Sequence, residues 1–112
     1  MTILNTHYKI PEITLNNLFL AIARFGFNEA FDIALERAVN EMRDNPSSIL
    51  IAECLSWSYD LNSRSLQLED QGIVQQYAEA SLFCRKLAHH AYWVARKDNI
   101  VEYNPVFIQA VR

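Results

Sequence analysis

Glycine and proline are scarce: 2 and 3 residues in a chain of 112. An antiparallel sandwich or barrel needs a tight turn every ~8–12 residues, so this shortage excludes one and favours few, long elements. With Gly26 and Gly72 as the only glycines, no glycine-rich loop can cradle a phosphate. Cysteine is scarce too. Cys54 and Cys84 fall inside apolar helical patterns and are read as buried free thiols, because free cysteine packs as a small hydrophobe. A long apolar run is missing: LFLAIA and ILIAECL are far short of the ~20 residues that span a bilayer. The opening MTILNTHYKIPEITL lacks the basic start and unbroken apolar stretch of a secretory leader. A cytoplasmic protein with no membrane partner is therefore expected. Nor does charge of one sign dominate. Ten basic and 13 acidic side chains leave a net charge of −3, without the basic excess that usually marks nucleic-acid binding and too mild for an acidic mimic of it.

What is present is a core. Hydrophobic residues make up 51% of the chain and charged residues 21%, the opposite of a disordered composition. The length suits one helical domain over residues 1–112, with no internal repeats and no linker.

The pattern predicts an all-α fold: an irregular bundle of four main helices plus a short C-terminal one. The first helix starts near Pro11 to Thr14 and runs to Arg24, with Leu15, Leu18, Phe19 and Ile22 on one side and Gly26 as its stop. Asn28 is expected to cap the second, whose core stripe is Phe31, Ala34, Ala38 and Met42. Glu29, Asp32, Glu36 and Asn40 form its solvated ridge. Asn45-Pro46 and Asn104-Pro105 both read as helix starts, since asparagine caps well and proline is tolerated at the first helical position. The third helix, about 46–59, is apolar almost all round and is expected at the centre of the bundle. DLNSRS then reads as a loop. A long fourth helix covers about 68–97, with Gly72, a weak helix former, near its start. Its stripe of Ile73, Tyr77, Ala80, Cys84, Leu87, Ala91 and Val94 steps by four and three. That stripe can face helices of its own chain or the same helix of a second copy, and the dimer reading is adopted as an expectation. The terminal PVFIQAVR offers Val106, Phe107 and Val111 for docking onto the body.

No catalytic or metal-binding signature emerges, and no cofactor is implied. His89 and His90 are adjacent and point ~100° apart on a helix, so they do not chelate one ion, and neither HExxH nor Glu-x-x-His occurs. Cys84 and the histidines lie too far round, or along, the helix for a nucleophile and base. The second and third helices superficially resemble a helix-turn-helix, but the third is too oily to enter a groove.

The run CRKLAHHAYWVARK is the strongest candidate for function. Lys86, His89, His90, Trp93, Arg96 and Lys97 cluster on it as a basic and aromatic face. The functional reading is a patch for another protein, anchored by Trp93, because Trp and Arg are enriched in interface hot spots. The competing reading is that the cations complement the helix dipole while Trp93 packs in the core. The sequence is read first as a small non-enzymatic protein-binding module, an adaptor, regulator or inhibitor of the kind mobile elements encode. Two alternatives stand behind it: a nucleic-acid-associated regulator using Arg85, Lys86, Arg96 and Lys97 across a dimer, and a small-ligand-binding helical protein.

Overall fold

The computed structural model describes residues 8–45 and 48–100. Four helices follow one another: α1 Glu12–Phe25, α2 Phe27–Asp44, α3 Leu50–Ser65 and α4 Gln71–Lys97. No strand occurs among the described residues, and the all-α bundle expected from the sequence is the fold. The expected C-terminal helix after Asn104-Pro105 lies outside the described residues.

A single glycine joins α1 to α2. Gly26 donates its N–H to the Ile22 carbonyl (2.9 Å) and accepts from the Ala30 N–H (3.0 Å), so it closes one helix and opens the next. Its φ of +82° and ψ of 159° lie in territory that essentially only glycine enters. α2 therefore begins at Phe27, one residue before the asparagine expected to cap it, and Gly26 supplies no side-chain cap. No atom lies within 4 Å of an added Cβ there. Gly26→Ala is nonetheless expected to cost ~1–3 kcal/mol from the backbone alone, measurable by chemical denaturation.

The third helix differs from its expectation at both ends. Asn45 does not open it; it caps the C-terminus of α2, with its N–H bonded to the Glu41 carbonyl. Proline drives the preceding residue toward extended geometry, and Asn45 has φ −134° and ψ 88°. That ends α2, but α3 begins only at Leu50. Ser48 Oγ accepts from the Leu50 N–H at 3.2 Å, and the Ile49 carbonyl takes the first helical bond, from Glu53. At the other end DLNSRS is helix, not loop. Asp60 accepts from the Ile10 N–H (3.1 Å) and pairs with Arg64 one turn on (3.4 Å), while Arg64 also reaches Glu12 (3.0 Å). Nor is α3 enclosed all round. Its buried side carries Ile51, Ala52, Cys54, Leu55, Ser58, Leu61 and Ser65, but Ile49 and Tyr59 are about half exposed. α3 packs chiefly along α4.

α4 is the element that meets all the others. Asp70 caps it by accepting from the Ile73 N–H at 3.1 Å, so Gly72 sits in an intact first turn. Its far end closes with Asn99 at φ 58°, the left-handed residue of a Schellman turn, with Ile100 N–H bonded to the Ala95 carbonyl and Asn99 N–H to that of Arg96. The buried face of α4 is made of small residues: Ala80, Ser81, Cys84, Ala88, Ala91 and Ala95, with Phe83 and Tyr92 between them. Small side chains allow the neighbouring helices to approach closely. The core follows α4 in three groups. Ala38, Val39 and Met42 of α2 meet Ile51, Cys54 and Leu55 of α3 over its second half. Ile10, Leu15 and Leu61 pack over Ala80 and Cys84, and Ala30 and Phe31 pack with Phe83. α3 and α4 are thus antiparallel, with Ser81 Oγ donating to the Ser58 carbonyl at 2.8 Å where they cross.

This arrangement corrects the dimer reading of the α4 stripe. Ala80, Cys84 and Ala91 are buried inside their own chain, and Tyr77, Leu87 and Val94 pack half-buried against the same clusters. Only Ile73, near the start of the helix, is exposed. α3 fills the seam that a second copy was expected to fill.

Candidate functional site

The outward side of α4 carries the residues singled out from sequence. Lys86, His90, Trp93 and Lys97 are exposed, and His89 and Arg96 are half-buried. Trp93 is 40% exposed, so the core reading of this residue is incorrect. Its neighbour Tyr92 takes the buried place instead, and the two rings lie 5.4 Å apart between centroids. The indole also neighbours His89 at 6.5 Å, and the two histidine rings lie 5.5 Å apart.

One edge of the face runs onto α2. The His90 ring meets Phe31 edge-on at 5.3 Å. Lys86 Nζ stands 5.8 Å from the centre of the Phe27 ring, within the range of a cation–π contact. Phe27, Phe31 and Phe83 pack on one another at centroid distances of 5.4 to 6.4 Å. These phenylalanines consolidate the bundle.

The other edge runs into a groove of about 220 Å³ between α3 and α4, lined by Ser58, Tyr59, Asn62, Ser81, Leu82 and Arg85. Sequence reasoning missed Leu82 and Tyr59, both about half exposed. The signal for Leu82 was in its position, eleven residues before Trp93 and so on the same side of the helix. The groove's two serines bond to each other across the helix crossing, which leaves Arg85 as its one charged group.

The electrostatics of the face are one-sided. No Asp or Glu occurs from Ala80 to Lys97. Arg85, Lys86, Arg96 and Lys97 form no ion pair with any described residue. Their place on the last turns of α4 suits the helix dipole for Arg96 and Lys97. It does not account for Arg85 and Lys86, because the dipole acts within the last turn. The acids of α2, Glu29, Asp32 and Glu36, are exposed on their own ridge, as expected.

Neither thiol is placed for chemistry. Burial pushes the Cys84 thiol up to about 12. Cys54 is raised further by burial, then by the nearby Cys84 and Glu53. Reactive cysteines are thiolates in electropositive, partly exposed surroundings, and these are neither. Among the described residues no three His, Cys, Asp or Glu side chains converge. No helix among them is long and apolar enough to cross a membrane. Comparison with known protein families, curated sequences and solved structures finds no match.

Proposed function

We propose that the chain is a small non-enzymatic protein-binding module of the cytoplasm, an adaptor, regulator or inhibitor that grips another protein with the basic, aromatic face of α4. The observation that carries this reading is Trp93, a large aromatic left 40% exposed amid Lys86, Lys97 and Arg96. Exposed tryptophan flanked by arginine is the composition of interface hot spots.

The test is retrieval of the partner from the native host on the immobilised chain, compared with Trp93→Ala. The variant is expected to keep its cooperative melt by circular dichroism, since the ring is not part of a buried cluster. It is expected to lose partner affinity by ~2 kcal/mol, roughly thirtyfold. A variant that unfolds, or one that retains the partner at full strength, removes the reading. The unpaired cations support one rival, a nucleic-acid ligand. Binding that falls as a steep power of salt concentration and is abolished by nuclease would establish that rival instead.

A further inference from the structure

The outward face of α4 contains an echo that is inconspicuous along the chain. Residues 82–86 read LFCRK and residues 93–97 read WVARK. The positions correspond in kind: large apolar, apolar, small, Arg, Lys. The offset is eleven residues, which is three helical turns to within ~20°. The two units therefore face the same way, about 16 Å apart along the axis at ~1.5 Å per residue.

Burial keeps the same register at the first, third and fifth positions. Leu82 and Trp93 are exposed at 49% and 40%, and Cys84 and Ala95 are buried at 3% and 0%. Arg85, Lys86 and Lys97 are exposed and Arg96 is half-buried. Packing against α3 and α2 explains the small inward residue of each unit. It does not explain the outward half, where a large apolar side chain stands between two cations in both units. The first unit also borders the groove that holds Tyr59 and Asn62, which widens its apolar footing.

We propose that Leu82–Arg85–Lys86 and Trp93–Arg96–Lys97 are two equivalent half-sites for one acidic amphipathic helix of the partner, laid lengthwise along α4. This rests on the reading of the Trp93 face as the docking surface and extends it to a second unit. The occupant is acidic because the face holds four cations and no described carboxylate answers them; complementary charge sets both specificity and encounter rate. It is helical because two knobs three turns apart on a rigid rod are matched by a second rod with apolar residues on the same three-turn repeat. An extended segment would bridge the same distance in only ~5 residues and leave the intervening His89 and His90 uncovered.

The experiment is a display selection of a library of ~20-residue helical peptides, long enough to span ~30 Å, against the full chain. Recovered peptides are then titrated against wild type, Leu82→Ala, Trp93→Ala and the pair Lys86→Glu with Lys97→Glu, each first shown to melt like wild type. Recovered peptides are expected to carry apolar residues three turns apart with flanking acids. Leu82→Ala and Trp93→Ala are each expected to weaken them by about tenfold or more, and the charge pair to weaken them further. Peptides sensitive to Trp93→Ala but indifferent to Leu82→Ala overturn the two-unit arrangement while leaving the proposed function standing. Recovery of no peptides, or of peptides indifferent to every variant, overturns both. Peptides without acids, or displacement of the bound peptide by a single-stranded oligonucleotide, overturn the acidic-helix assignment.

Discussion

Leu61→Ala is expected to destabilise the fold by ~2–5 kcal/mol, the cost of removing a buried leucine and leaving the space behind. Leu61 is 0% exposed and packs with Ile10, Leu15, Ala80 and Cys84. It therefore joins α1, α3 and α4 and the segment before α1 at one point. Domains of this size hold only ~5–15 kcal/mol in total, and a loss of ~3 kcal/mol lowers the melting temperature by ten degrees or more. Ser63→Ala, two residues on at an exposed position, is expected to change stability by less than ~0.5 kcal/mol. The two variants are compared by denaturant titration. Equal, small effects would mean that residues 60–65 contribute no core.

That contrast marks where the sequence stops being legible. α1, α2 and α4 are visible because their apolar residues recur at three and four with strong contrast between faces. The second half of α3 has the same recurrence, Cys54, Ser58, Leu61, Ser65, but serines hold two of the four buried positions. Composition then resembles a loop, while the period remains helical. Asn45-Pro46 misleads for a related reason. The pair does stop α2, but a residue that halts one helix need not start the next. A seam of Ala and Cys fits a second copy as well as a neighbouring helix, so periodicity alone cannot choose. Trp93 lies about 100° from its buried neighbour Tyr92 on the helical wheel, and only one of two adjacent aromatics can point inward. What the period cannot supply is which of the two does, because that depends on where α2 and α3 cross.

Above pH 9 the protein is expected to lose stability steeply, with Cys54 and Cys84 as the cause. Burial is the chief cause that holds both thiols above the ordinary thiol value near 9, Cys84 at about 12 and Cys54 higher still. In the unfolded chain they ionise near pH 9; in the folded chain they keep their protons. The unfolded state therefore binds fewer protons at alkaline pH, and stability falls as pH rises, by ~1.4 kcal/mol per unit per thiol. Below pH 9 neither thiol penalises the fold. Between pH 9 and about pH 10.5 the two together remove on the order of 4 kcal/mol, as much as the Leu61 truncation. Denaturant titrations at successive pH values, on wild type and on the Cys54→Ala, Cys84→Ala double variant, separate this from the ionisation of Lys and Tyr, which is common to both. The double variant is expected to be less stable at pH 7, having smaller core side chains, yet to decline more gently above pH 9. Parallel declines would show that the thiols ionise as easily in the folded chain as in the unfolded one, and the α3–α4 seam in which they sit would have to be open to water.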